Sequence, residues 1–215
     1  MEKPIITVIY SHGKNGSAWH GTKIKVLRPI VLKMGMNIIS IDYSDNLSIE
    51  QMEEKLFDTV RNTENVPGDL IFLSSSRGGY ISTNSSLKIS ELFANEPIRV
   101  IKNKTISKRN LLGQFLIAPA LYCKPFDYPN QNPKLPSDTL NCIVHGYDDN
   151  VIDYKNSLKF AEKYKTDLHL MKGDHRMNNQ IDKISRLFEV FLNDCQIHSD
   201  KLFIKFIKKE DSDDI

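Results

Sequence analysis

A chain of 215 residues, with 40% hydrophobic and 26% charged content, is long enough for one domain with a sizeable core, and a formal charge of +2 is too small by itself to imply a nucleic-acid or membrane partner. Cys123, Cys142 and Cys195 are widely spaced and odd in number, which fits neither a disulfide framework nor a zinc site and points to a reducing compartment, read as the cytoplasm. The N-terminal apolar run is too short for a signal peptide, and no segment approaches the ~18 apolar residues of a membrane span.

In chain order, strands and helices are predicted to alternate. Pro4–Ser11 is a short β-rich apolar run, read as a buried strand. Ile24, Leu27, Val31 and Met34 recur at helical spacing, so a helix follows, with Pro29 marking a first turn or a kink. Met36–Tyr43 reads as the next strand, and Ser48 with Gln51 forms a capping-box start to a helix reaching Val60. Leu70–Ser74 is a strand leading into a helix from Arg77 to about Phe93. Gly113–Pro119 and Leu140–Gly146 are two further strands. A helix from Tyr154 carries Leu158 and Ala161 on one face, and Asp167–Gly173 is the last strand. The closing helix buries Ile181, Ile184, Phe188 and Phe191. There is no internal repeat. The domain is expected to span residues 1–197, with 198–215 as a tail or short helix.

Short apolar strands alternating with helices predict a three-layer, doubly wound α/β architecture: a mostly parallel sheet of about six strands, with no insertion long enough for a large cap. In such sheets the ligand crevice lies at the carboxyl ends of the strands. Those ends carry His12-Gly13, Ser74-Ser75-Ser76, Ala118-Pro119, His145 to Asp149, and Gly173-Asp174-His175.

A nucleophile elbow lifts a serine above the sheet on a crowded strand-to-helix turn, so the positions two before and two after it need small side chains. Ser76 meets this with Ser74 and Gly78; Ser75 would need Arg77 to be small, and Ser74 would need Phe72 to be small. The competing reading is a serine-rich helix N-cap without chemistry. A nucleophilic serine needs a base and an acid that orients the base. His175 follows the last strand, and Asp148, Asp149 and Asp153 follow the strand before it. The order serine, aspartate, histidine is that of α/β-hydrolases.

The segments "YSHGKNG", "SSSRGGYIS", "FLIAPALY", "IVHGYDDNVIDY" and "LHLMKGDHRM" resemble, in order and from about Tyr10 to Phe191, the small capless members of the α/β-hydrolase superfamily, close to a group of bacterial serine esterases. The resemblance implies Ser76 as nucleophile, Asp149 as acid and His175 as base. It also implies an oxyanion hole from the backbone N–H groups of Arg77 and Lys14. Two positions depart from the family pattern: Ser74 stands where the elbow usually has glycine, and Asp153 where proline is frequent.

His12 and His145 sit in His-Gly pairs and are read as hydrogen-bonding their own loops, while His20 and His169 are read as structural or solvated. "GKNGS" lacks dinucleotide and P-loop spacings, and no histidine pair has metal-ligand spacing. The basic segment Arg99–Arg109 is read as a solvated insertion or as a site mouth favouring an anionic substrate. The Pro-rich stretch Cys123–Asp138, with Phe126 and Tyr128, is expected to form a pocket wall. The expectation is therefore a cytoplasmic serine hydrolase acting on a small acyl ester or thioester without a cofactor. Its alternatives are a protein deacylase or peptidase on the same triad, and a hydrolase fold kept as a non-catalytic binding module.

Overall fold

The structure is a computed structural model that describes residues 4–43, 45–97, 99–101, 104–106, 108–123, 130 and 132–213. Its strands are β1 (Ile6–Ser11), β2 (Asn37–Ile41), β3 (Asp69–Ser75), β4 (Arg99–Ile101), β5 (Lys104–Ile106), β6 (Leu111–Ile117), β7 (Leu140–Gly146) and β8 (Asp167–Met171). The helices are α1 (Thr22–Lys33), α2 (Ile49–Arg61), α3 (Arg77–Ala94), α4 (Tyr154–Tyr164) and α5 (Ile181–Asp213). Six strands form one sheet in the order β2-β1-β3-β6-β7-β8, and every pairing in it is parallel.

Central strands β1, β3 and β6 are buried along their whole length, whereas the edge strands β2 and β8 are largely half-buried. That is why the central runs read as continuously apolar rather than alternating. Successive side chains still serve opposite faces. Along β3, Ile71 and Leu73 join the layer formed with α1 and α5, while Leu70 and Phe72 join the layer formed with α2 and α3. Phe160 of α4 closes the second face over Leu116 and Ile143. Burial of one such Phe or Leu side chain contributes roughly 1.5–3 kcal/mol. Truncating the fully buried Phe188 to alanine would cost about 3–5 kcal/mol.

Local rules account for most boundaries. Ser48 accepts the Gln51 N–H while the Gln51 side chain returns to the Ser48 N–H, so α2 starts on a complete capping box. Pro29 lies in the interior of α1 on its exposed face, not in the first turn, and water can serve the carbonyl that lacks its N–H partner. One expectation fails on α4: Ser157, Phe160 and Ala161 are the buried residues, and Leu158 points outward at 38% exposure. The short α4 packs one narrow stripe, and Leu158 lies about 100° away from Ser157 around it. Helix α5 runs on to Asp213, and the buried Ser199 donates to the Asp69 carboxylate at 2.5 Å. β4 and β5 form a separate antiparallel hairpin within the segment read as a basic insertion. Among the described residues, no helix is long and apolar enough to cross a membrane.

The strand order places the sheet's reversal point between β1 and β3, since β1 pairs with β2 on one side and β3 on the other. Loops leaving the carboxyl ends of these strands diverge there, which opens a crevice. His12-Gly13 and Ser76 are the first residues beyond those two ends.

Candidate active site

Ser76 links the last residue of β3 to the first of α3 at φ 52° and ψ −120°. A serine at positive φ is strained, at a cost of order 1–3 kcal/mol, and persists only where its surroundings enforce it. The enforcement comes from close approach: a Cβ on Gly78 would lie 2.1 Å from the Ser11 carbonyl oxygen, so only glycine lets α3 begin against the end of β1. Ser74, two residues before, is fully buried between β1 and β6, and its hydroxyl finds no hydrogen-bond partner among the described residues.

Asp149 lies in the turn after β7, and its side chain is fully buried. Oδ1 accepts the N–H groups of Val151 at 2.9 Å and Ile152 at 2.8 Å, which fixes the carboxylate plane. Oδ2 lies 2.7 Å from His175 Nδ1 and 3.0 Å from His145 Nε2. Burial pushes the Asp149 carboxyl up, but the two imidazoles and two backbone donors outweigh it and hold the group below the usual carboxylate range. The other ring nitrogen of His175, Nε2, lies 2.9 Å from Ser76 Oγ. Ser76, His175 and Asp149, drawn from three strand ends, thus form one hydrogen-bonded line.

The loops meet because β7 and β8 converge: a Cβ on Gly146 would stand 2.1 Å from the Gly173 carbonyl oxygen. That contact admits only glycine, and the Asp148 N–H then reaches the same Gly173 oxygen at 3.0 Å. The Asp148 side chain is exposed. Asp153 serves as N-cap of α4, accepting the Lys155 N–H at 2.9 Å. Neither carboxylate is bonded to His175.

His145 has no exposed surface. Its Nδ1 faces Ser157 Oγ at 2.7 Å, and its Nε2 faces the Ile152 carbonyl at 3.1 Å as well as Asp149. With two acceptors on Nε2, the imidazole donates from that nitrogen, and Ser157 can donate to Nδ1. The sequence suggests a loop contact for His145, which the Ile152 bond is, but not that it shares the Asp149 oxygen. The only available signal is its position four residues before that aspartate.

The β1–α1 loop lies across the elbow, with Gly13 packed directly on Ser76. His12 braces this loop: Nδ1–H donates to the Gly13 carbonyl at 2.7 Å, and Nε2 accepts the Tyr43 N–H at 3.1 Å. Lys14 follows on the loop, and Arg77 opens α3. Among the described residues, neither backbone N–H is committed to a hydrogen bond. Asp45 ties the two segments together by accepting Arg77 Nη2 at 2.8 Å and the Asn15 N–H at 3.3 Å. These contacts, Asn15 first, hold the Asp45 carboxyl below its ordinary range. Nothing in the sequence singled out Asp45.

Beside Ser76 and His175 lies a pocket of about 460 Å³, walled by the β1–α1 loop, the start of α1 and the loop after β8. Lys14, Lys23 and Arg176 line it, and its larger apolar side chains are Tyr10 and Val151. The expected wall residues Phe126 and Tyr128 lie outside the described residues, as do the side chains of the basic segment at 99–107.

No protein-family model matches this chain. No curated protein matches it by sequence. Solved structures do. A candidate hydrolase of the α/β superfamily from Xanthomonas campestris pv. campestris superposes with a TM-score of 0.66 at 18% identity, over 87% of this chain and 98% of the other. An α/β serine hydrolase without a lid, from Xanthomonas campestris, gives 0.61 at 12% identity, over 94% and 84%. An esterase from Pyrococcus furiosus gives 0.61 at 15% identity, over 87% and 82%.

Proposed function

From a chain that has the α/β-hydrolase fold, we propose a serine hydrolase that cleaves small acyl esters or thioesters through an acyl-enzyme. The observation that carries the reading is the line Ser76 Oγ–His175 Nε2–Asp149 Oδ2, at 2.9 and 2.7 Å, beginning at a serine held at positive φ. The lidless serine hydrolase and the esterase among its structural neighbours support the same reaction class.

In this mechanism His175 Nε2 takes the Ser76 proton as Oγ attacks the carbonyl carbon, and the carbonyl electron pair moves to oxygen. The N–H groups of Lys14 and Arg77 receive that oxyanion; neither has an acceptor among the described residues, which leaves them available for it. Collapse expels the leaving alcohol or thiol, which takes the proton from His175. Water then attacks the acyl-enzyme by the same route, releasing the acid and restoring Ser76. Asp149, kept anionic, fixes the Nδ1–H tautomer of His175 and stabilises the imidazolium. Small acyl groups suit the site because the described walls offer little apolar surface, and burial contributes only about 0.8 kcal/mol per CH₂ where such surface exists. Cys123, Cys142 and Cys195 are free thiols, which fits a cytoplasmic enzyme.

The test is labelling by a fluorophosphonate probe, with Ser76→Ala as control. Stoichiometric labelling lost in that variant establishes the reactive serine. A folded protein that resists the probe would instead be a binding module.

A further inference from the structure

The pocket beside Ser76 has one sign of charge. Lys14, Lys23 and Arg176 line it together with His12 and His175, and among the described residues no carboxylate does. The chain as a whole is nearly balanced, with 29 Lys and Arg against 27 Asp and Glu, so this segregation is local. Lys23 is the informative member. It is half-buried in the first turn of α1 and, among the described residues, has no hydrogen bond or ion pair. Asp174 is the acid acting on it, but that carboxylate accepts the Met177 N–H at 2.9 Å and stands outside the pocket lining.

We propose that this pocket recognises an anionic group on the substrate, a carboxylate or phosphate, with Lys23 and Arg176 as the specificity-determining residues; this rests on the serine-hydrolase reading above and names the substrate class of that site. The physical case starts from cost. Burial pulls the Lys23 ammonium down to about 8, with Asp174 opposing and Arg176 adding to the fall. An ammonium kept half out of water with no hydrogen bond or ion pair among the described residues is poorly placed for folding and well placed for an incoming anion. Arg176 follows His175 directly, so an anion bound between it and Lys23 lies next to the reacting centre. Its guanidinium offers a planar fork that matches carboxylate and phosphate alike. A charge-assisted hydrogen bond in such a site is worth roughly ten- to a hundredfold in binding.

The experiment compares ethanol release from monoethyl succinate and diethyl succinate, and from ethyl phosphonoacetate and triethyl phosphonoacetate. The expected kcat/KM is at least tenfold higher for the charged member of one pair. The larger ratio identifies carboxylate or phosphate as the preferred anion. Lys23→Met and Arg176→Gln should each lower kcat/KM for the charged ester about tenfold more than for its neutral partner. Calorimetry on the Ser76→Ala protein, with succinate against succinamide, reads the same preference without turnover. If esters are hydrolysed but neither assay distinguishes charge, the anion site is refuted and the hydrolase stands. If no ester is turned over yet Ser76→Ala protein binds succinate and loses it on Lys23→Met, the hydrolase reading fails and the anion site stands.

Discussion

His145 Nε2 lies 3.0 Å from Asp149 Oδ2, the carboxylate oxygen that also faces His175. The carboxylate is therefore held by donors on both sides, and His145 acts on the reaction only through it. In His145→Ala, Asp149 loses one donor and gains a void into which it can turn. A fall in kcat of about ten- to a hundredfold is expected with little change in KM. Loss of this buried network should also cost about 1–3 kcal/mol of stability. His145→Gln keeps a donor and should recover part of the rate. An alanine variant with unchanged kcat would mean that the two backbone N–H groups orient Asp149 unaided.

Three carboxylates crowd the turn after β7, and their contacts separate their roles. Asp149→Asn should lower kcat several orders of magnitude by stabilising the wrong His175 tautomer, by analogy with ~10⁴ for the same change in a protease triad. Asp148→Asn should leave kcat within about twofold, since that side chain is exposed. Asp153→Ala should cost about 1 kcal/mol of stability through the lost α4 cap, again with activity kept. Steady-state kinetics and thermal melts on the three variants read this pattern directly.

What the sequence made legible follows from which forces are local. Apolar runs bounded by glycine, and the Ser48–Gln51 capping box, depend on neighbours in the chain, so β1, β3, β7 and α2 could be read from the sequence. The tight strand-to-helix turn at Ser76 was legible for the same reason, because crowding at Gly78 acts two residues away. Leu158 misled because periodicity cannot tell how wide a stripe a short helix buries. Asp45 and Lys23 were invisible. Each matters through residues brought up by a different loop, Asp45 to Arg77 and Lys23 to the pocket beside His175. The extent of α5 was missed because its anchor, Ser199 on Asp69, joins positions 130 residues apart.

Asp45 bridges the side chain of Arg77, one of the two proposed oxyanion donors, and the N–H of Asn15, the residue after the other, Lys14. Asp45→Ala frees both segments, so the spacing between the Lys14 and Arg77 N–H groups is no longer set. The loss should appear in kcat, about tenfold or more, with KM nearly unchanged, because the oxyanion forms only as the reaction proceeds. Asp45→Asn retains an acceptor for the Asn15 N–H and should fall between. A change confined to KM would place Asp45 in substrate binding instead.

Lys23 links the site to stability. Its folded pKa, about 8, lies below the unfolded value, so the charged form is disfavoured in the native state. The penalty is therefore fully present below pH 8 and is relieved as pH rises toward the unfolded pKa near ~10.4. Lys23→Met removes it and fills the same space with an apolar chain. The variant should melt higher than the parent at pH 7, by about 2–4 °C for each kcal/mol relieved, and the solvent still reaching this half-buried group limits the gain to about 1 kcal/mol. The advantage should shrink toward pH 10. Charge selectivity should move the opposite way. In the parent, the preference for monoethyl succinate over its diester should weaken as pH rises through about 8 and Lys23 loses its proton, while Arg176 and Lys14 still line the pocket. His12 and His175 also face the pocket, and Asp174 acts on Lys23 from outside its lining. Thermal melts and kcat/KM ratios measured at pH 7, 8.5 and 10 check both halves. A Lys23→Met protein that melts lower than the parent at pH 7 would show instead that the ammonium stabilises the fold.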